Sequence, residues 1–132
     1  MTEHIQTNYI LISGASAGLG AEYAKQLAGK FRLILVARRE ERLNELAEKL
    51  REKHQVSQDD ILVYSCDLSL REQRSNLIDW ITSSKLEIAG LINNAGFGSL
   101  GEFSKSDYEW EEQMLRLNCI APLHLSLSLI HI

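Results

Sequence analysis

Residues 9–20 read Tyr9-Ile-Leu-Ile-Ser-Gly-Ala-Ser-Ala-Gly-Leu-Gly20. The apolar run that opens this stretch predicts a short buried strand, and the glycines that follow predict a tight turn into a helix. Glycine at 14 allows a sharp turn, while glycines at 18 and 20 allow backbone to approach a pyrophosphate and a helix to pack closely on a sheet. Many turns between a strand and a helix use glycine for geometry alone, so this stretch leaves both interpretations open.

The rest of the chain alternates apolar runs with helical patterns. Further strands are predicted at 33–37, 61–64 and 88–92, and helices at 18–28 and 39–54 and after two Ser-x-x-Glu capping boxes, which begin at Ser69 and Ser106. Strands that alternate with helices of this length form right-handed crossovers. We therefore predict an α/β fold, a Rossmann-type doubly wound parallel sheet, with a ligand site at the carboxyl ends of the strands.

Composition excludes several classes of protein. The 132 residues fit one domain, and 45% hydrophobic with 24% charged residues is ordinary for a soluble globular protein. A formal net charge of −4 argues against a nucleic-acid-binding surface. No apolar run approaches the length needed to span a bilayer, and the N-terminus lacks the pattern of a signal peptide. We therefore expect a cytoplasmic protein that binds neither nucleic acid nor membrane.

Cysteines and histidines do not predict a metal site. Cys66 and Cys119 are far apart, and we expect both to be free buried thiols. His4, His124 and His131 match no spacing of metal ligands.

Two arginines stand at the end of the second predicted strand, in Val36-Ala-Arg-Arg39. A site that prefers NAD usually has an acidic residue there, which binds the ribose 2′-hydroxyl. A guanidinium instead binds a 2′-phosphate through two hydrogen bonds, so Arg38 and Arg39 favour NADP over NAD. The alternative is that both arginines only begin a solvated helix. The missing acid also argues against a methyltransferase that binds adenosyl-methionine.

Four motifs stand in order along the chain: Gly14, Gly18 and Gly20; then Cys66-Asp67-Leu68; then Asn93-Asn-Ala-Gly96; then Leu117-Asn118. Their order and spacing resemble the short-chain dehydrogenase/reductase family, and the GxxxGxG spacing is similar to that of its single-domain members. Ser13 stands where the family commonly has threonine, which keeps the hydroxyl. The resemblance covers nearly the whole chain and implies a dinucleotide-binding Rossmann domain over residues 1–132, incomplete, with about four strands in the order 3-2-1-4.

The resemblance implies a cofactor and a role for each matching residue. Residues of the glycine turn would line the diphosphate and the nicotinamide side, and Arg38 with Arg39 would contact the 2′-phosphate of NADP. Asp67 would accept a hydrogen bond from the adenine amino group, and Leu68 would pack beside the base. The Asn93 motif would lie under the adenosine ribose, and Asn93 would also tie the fourth strand to its neighbours. The implied cofactor-binding residues are Gly14, Ser16, Gly18, Leu19, Gly20, Arg38, Arg39, Asp67, Leu68, Asn93, Ala95 and Gly96.

Each of these residues also has a plainer interpretation when taken singly. Asp67 before Ser69 is typical of a turn, Asn93-Asn94 of a turn pair, and Asn118 of a buried polar group bonded to backbone.

The resemblance implies a hydride transfer between NADP(H) and a carbonyl or alcohol substrate, with a serine, a tyrosine and a lysine four residues later as the catalytic groups. No tyrosine here has a lysine four residues on, and the family places this set well beyond Asn118. Asn118 matches the asparagine whose local helix distortion holds a water in the proton relay. We therefore expect these 132 residues to lack turnover, and we expect the parent protein to be a homo-oligomer.

Alternating leucines at 123–129 have a strand-like period, whereas the family continues a helix there. The last six residues resemble the translation of a sequencing adapter, so residues 127–132 are interpreted as a non-native tail. Three functions stay open for the chain: the cofactor half of an oxidoreductase, which we favour, a non-catalytic dinucleotide-binding module, and an inert fragment.

Overall fold

The computed structural model describes residues 5–130, which form one parallel sheet with helices on both faces. Its strands are β1 (Gln6–Ser13), β2 (Phe31–Ala37), β3 (Ile61–Ser65) and β4 (Ile88–Ile92). They lie in the order β3-β2-β1-β4, and every neighbouring pair is parallel. The predicted α/β class and the predicted strand order are both confirmed.

Within residues 5–130 the α-helices are α1 (Gly18–Leu27), α2 (Glu40–His54), α3 (Arg71–Ser83), α4 (Tyr108–Leu115) and α5 (Ala121–Leu129). All of them except α4 contribute residues to the core on the sheet. Successive residues of a strand point to opposite faces, and β2 shows this directly. Leu33 and Leu35 pack in the core with α1 and α2, whereas Ile34 and Val36 pack in the core with α3 and α5. The middle strands are therefore buried on both faces, as their continuous apolar runs predict.

Both predicted capping boxes are wrong in detail. Helix α3 begins at Arg71 after Leu70, and no side chain caps its first turn. Ser69 lies one residue before the capping position, and its hydroxyl donates to the Asp67 carboxylate. Helix α4 is capped by Asp107 rather than by Ser106, and the Asp107 carboxylate accepts from the backbone N–H of Trp110.

The segment after α4 is one helical rod with a wide turn inside it. Residues Arg116–Ile120 form a π-helical segment, and α5 continues directly from it. Pro122 lies in the first turn of α5, and because α5 continues the rod, its missing N–H leaves a backbone carbonyl of the preceding turn without its helical hydrogen bond. The strand-like period of residues 123–129 is therefore misleading, because the segment is helical and buries Leu125 and Leu129. Residues 131–132 of the predicted tail lie outside the described residues.

The two thiols differ in environment. Cys66 is buried, and burial raises the pKa of its thiol to about 12, with the nearby Asp67 carboxylate adding to the effect. Cys119 is exposed, so the prediction that both thiols are buried holds only for Cys66. Cys119 lies in the π segment.

Strand β4 is the edge of the sheet on its side. It pairs with β1, and within residues 5–130 no strand pairs with its other edge. Its sequence, Ile-Ala-Gly-Leu-Ile, carries no charge or proline that would discourage another strand from pairing there.

Candidate functional site

A cavity of about 410 Å³ opens at the carboxyl ends of all four strands. The glycine turn follows β1, the two arginines follow β2, Cys66–Ser69 follow β3 and Asn94–Phe97 follow β4. The chain leaves β1 in one direction to build β2 and β3, and β4 lies on its other side. The cavity thus lies at the switch in strand order, where open parallel sheets bind ligands.

The three glycines of the turn have different tasks. Gly14 and Gly18 have φ angles of +66° and +56°, which favour glycine. A Cβ on Gly18 would meet nothing within 4 Å, so its surface is open toward the cavity. A Cβ on Gly20 would lie 2.2 Å from the carbonyl oxygen of Gly14, so glycine at 20 lets α1 pack against the turn.

The Ser13 hydroxyl fastens the end of β1 to the loop after β4. Its Oγ accepts from the backbone N–H groups of Asn94 and Ala95, both at 2.9 Å, and donates to the carbonyl of Ile92 at 3.3 Å. The Asn94 side chain adds a bond from Nδ2 to the carbonyl of Gly14 at 3.3 Å. Two walls of the cavity are therefore held at a fixed separation.

Arg38 and Arg39 form the wall after β2. Both side chains are exposed and line the cavity, and among residues 5–130 neither guanidinium has an ion-pair partner. The backbone beneath them is anchored, because the Ser65 hydroxyl donates to the Arg38 carbonyl at 2.9 Å. Two unpaired cations on a fixed backbone form a surface suited to a phosphate group.

Asn118 lies in the π segment and clamps the loop after β4. Its Oδ1 accepts from the backbone N–H of Phe97 at 3.0 Å, and its Nδ2 donates to the Phe97 carbonyl at 2.7 Å. A Cβ on Gly96 would lie 2.7 Å from Asn118 Oδ1, so this approach needs glycine at 96. The helix distortion that the resemblance implies at Asn118 is confirmed.

Most of the residues named from the sequence come together at the cavity, and three do not line it. Gly20 packs below the turn, Asn118 lies behind Phe97, and exposed Asn93 donates from Nδ2 to the Ser126 hydroxyl of α5 at 3.3 Å. The bond that ties β4 to β1 comes from Asn94 instead. The predicted residues that line the cavity are Gly14, Ser16, Gly18, Leu19, Arg38, Arg39, Asp67, Leu68, Ala95 and Gly96.

Several cavity-lining residues were not named from the sequence as cofactor-binding residues, and Asn94, Phe97 and Gln113 are among them. Asn94 lines the cavity, and its place beside Asn93 was the only signal for it. Phe97 and Gln113 also line the cavity. Phe97 packs against Trp110 of α4, with ring centroids 4.6 Å apart, and neither Phe97 nor Gln113 stands in a pattern that points to a ligand.

A buried arginine links α5 to the loop after β3. Arg74 of α3 is 4% exposed; its Nε donates to His124 Nδ1 at 3.1 Å and its Nη1 donates to the Leu68 carbonyl at 2.7 Å. Burial lowers the pKa of His124, and the charges of Arg74 and Arg71 lower it further. His124 must therefore stay neutral to accept the bond from Arg74.

This pair predicts a loss of stability as pH falls from 7.5 to 5.5. The folded pKa of His124 lies below its unfolded value, so the unfolded chain binds more protons in this range and acid favours unfolding. His124→Asn keeps an acceptor at the same point without titrating, and it should flatten the dependence. Urea unfolding at the two pH values measures both chains. Equal pH dependence in the variant and the unchanged chain would contradict the assignment.

Two kinds of feature are absent from the described part of the chain. Among residues 5–130, no three His, Cys, Asp or Glu side chains group as a metal site would require; His4 and His131 lie outside that range. Across the same residues, no helix has the length and apolar character to cross a membrane.

Comparisons with known proteins agree with the geometry. The family model for short chain dehydrogenases matches residues 8–132. Among curated relatives, the uncharacterized oxidoreductase DltE of Bacillus subtilis is 34% identical over 122 residues, which cover 90% of this chain and 45% of that protein. The chain thus spans less than half the length of that relative.

Two solved structures are similar to this chain in both fold and sequence. The bulky-bulky ketone specific alcohol dehydrogenase of Comamonas testosteroni has a TM-score of 0.84 and 33% identity, and the match covers 94% of this chain and 48% of that one. The L-sorbose reductase of Gluconobacter frateurii, solved with NADPH and L-sorbose, has a TM-score of 0.86 and 29% identity over 99% of this chain and 49% of its own.

Proposed function

Because the chain belongs to the short-chain dehydrogenase family, we propose that it is the cofactor-binding part of an NADP-dependent oxidoreductase. The observation that carries the choice of NADP is the pair of unpaired guanidinium groups, Arg38 and Arg39, after β2. A carboxylate at this position would repel a 2′-phosphate, and none of the cavity-lining residues from β2 is acidic.

The remaining walls fit the other parts of a dinucleotide. The open surface at Gly18 lies in the first turn of α1, where free N–H groups and the helix dipole favour a diphosphate. Asp67 is the one carboxylate among the cavity-lining residues, and it would accept from the adenine amino group, with Leu68 beside the base. Asn93, Ala95 and Gly96 would border the adenosine ribose, and Asn93 would act through the backbone of its loop.

When bound, the nicotinamide supplies the hydride that reduces a carbonyl or receives the hydride from an alcohol. The residues of this chain would bind and orient the cofactor. Asn118 would position the wide turn of the helix beside the nicotinamide side of the cavity, and it is a positioning residue in the proposed reaction. The substrate belongs to the carbonyl or alcohol class, the class to which the ketones and L-sorbose named for the similar structures belong.

We further propose that residues 1–132 bind the cofactor without turning over substrate. None of the four tyrosines, Tyr9, Tyr23, Tyr64 and Tyr108, lines the cavity. Tyr9 even points to the opposite end of the sheet, where its hydroxyl donates to the Asp59 carbonyl at 2.6 Å. The proton donor would come from residues of the whole protein that lie outside this chain. We also propose that the whole protein is a cytoplasmic homo-oligomer.

Calorimetric titration of the 132-residue chain with NADPH and with NADH tests the proposal. We expect NADPH to bind at least about tenfold more tightly, since each hydrogen bond to a charged phosphate stabilises the complex by about 1.5–3 kcal/mol. Equal affinities would contradict the choice of NADP, and no binding of either would contradict the dinucleotide site itself.

A further inference from the structure

The Asp67 carboxylate is held from one side by Ser69. Its Oδ1 accepts from the Ser69 backbone N–H at 3.0 Å and from the Ser69 hydroxyl at 2.7 Å. Ser69 is 3% exposed, so little water competes for these bonds. Among residues 5–130, the second oxygen, Oδ2, makes no hydrogen bond or ion pair.

The backbone around Asp67 is held as well. The Gln73 side chain in the first turn of α3 accepts the Asp67 N–H through Oε1 at 2.5 Å. Its neighbour Arg74 donates to the Leu68 carbonyl at 2.7 Å. The carboxylate therefore has a fixed backbone beneath it and one oxygen already engaged, which restricts its rotation.

We propose that Ser69 is a positioning residue that fixes the Asp67 carboxylate so that Oδ2 accepts the 6-amino group of adenine. Ser69 thereby sets the preference for adenine over a purine that carries a carbonyl at the same position. This proposal rests on the proposed function. Its physical basis is that a carboxylate with one oxygen held loses less rotational freedom when the other binds a ligand.

Without the hydroxyl, the carboxylate changes in two ways. Oδ1 keeps only the backbone N–H of Ser69, so the side chain of Asp67 can turn and the position of Oδ2 is no longer fixed. The freed oxygen also becomes available to water, which competes with the adenine amino group. Both changes weaken binding of an adenine cofactor and leave a cofactor without the 6-amino group nearly unaffected.

The test compares NADPH with reduced nicotinamide hypoxanthine dinucleotide phosphate, in which a carbonyl replaces the adenine amino group. Calorimetry gives both dissociation constants for the 132-residue chain. We expect the unchanged chain to prefer NADPH at least about tenfold, the worth of one hydrogen bond to a charged group. In Ser69→Ala the ratio should fall at least threefold, through weaker NADPH binding, and Ser69→Thr should restore it.

Three further variants separate positioning from a general structural role. Ser57→Ala is the matched control, because the Ser57 N–H and hydroxyl bind the Asp60 carboxylate in the same way, at 2.9 and 3.0 Å, far from the cavity. It should leave the ratio unchanged. Asp67→Asn should remove the preference, and adding Ser69→Ala to it should change nothing more. If Ser69→Ala does not fold by circular dichroism, Ser69→Cys replaces it, because a thiol is only a weak hydrogen-bond donor to the carboxylate, and the ratio should again fall.

The outcomes distinguish the two levels of inference. Equal losses of affinity for both cofactors in Ser69→Ala, with the ratio kept, would show a structural role only and would overturn the role of Ser69. An unchanged chain that binds NADPH without discrimination would overturn the adenine contact of Asp67 and Ser69 together. An unchanged chain that binds neither cofactor would overturn the proposed function and this inference with it.

Discussion

Replacing Gly20 by alanine is expected to lower the midpoint of thermal unfolding by about 10 °C, the equivalent of about 3 kcal/mol for a chain of this size. The added Cβ would lie 2.2 Å from the carbonyl oxygen of Gly14 and 2.7 Å from its carbon. Both atoms are backbone, at the point where β1 turns into α1, so the clash can be relieved only by moving the helix off the sheet.

The matched control for Gly20→Ala is Gly98→Ala. A Cβ on Gly98 would meet nothing within 4 Å, and Gly98 is not among the glycines with positive φ. The same methyl group should there leave the midpoint unchanged or raise it slightly, because alanine has less freedom than glycine in the unfolded chain. Differential scanning calorimetry of the two variants decides the matter. Similar midpoints for both would contradict the close packing at Gly20.

Replacing both Arg38 and Arg39 by alanine is expected to weaken NADPH binding about 100-fold and to leave NADH binding unchanged. Each lost guanidinium removes charge-assisted hydrogen bonds worth about 1.5–3 kcal/mol, and exposure to solvent places the expected loss near the lower value. The difference should shrink with added salt, because screening weakens interactions between exposed charges. Titration of both cofactors at low and high ionic strength measures the effect.

Arg42→Ala is the control for the arginine pair. Arg42 is exposed on α2, three residues beyond Arg39, and does not line the cavity. It carries the same charge, so a loss of general electrostatic attraction would appear in this variant too. Comparable weakening in Arg42→Ala, or equal weakening of NADH binding in the double variant, would refute a direct contact with the 2′-phosphate.

The framework of the fold could be predicted because it depends on patterns that repeat. Continuous apolar runs such as Leu33–Ala37 identify strands covered on both faces. The glycine turn after β1 indicates that this strand leads directly into a helix. The details that failed depend on competition between neighbours. Ser69 stands one residue before the position that caps α3, and its hydroxyl binds the Asp67 carboxylate instead of the helix.

The candidate site also has parts that follow from sequence patterns and parts that depend on neighbouring side chains. Glycines and arginines at strand ends could be named from the sequence, because each lies where parallel strands end together. Asn94 could not be separated from Asn93, since only the direction of each side chain decides which one faces β1 and which one faces α5. Gln113 reaches the cavity from α4, and no sequence rule gives the angle of that helix.

The π segment at Arg116–Ile120 places α4 and α5 in different rotational phases. A π turn is a single-residue insertion into an α-helix, and one residue corresponds to about 100° of rotation. Removing one residue there would restore regular helix but would rotate α5 by about that angle, so Leu125 and Leu129 would leave the core. The position of Asn118 and the core contacts of α5 therefore depend on the same number of residues in the π segment. A deletion of one residue there would disturb both.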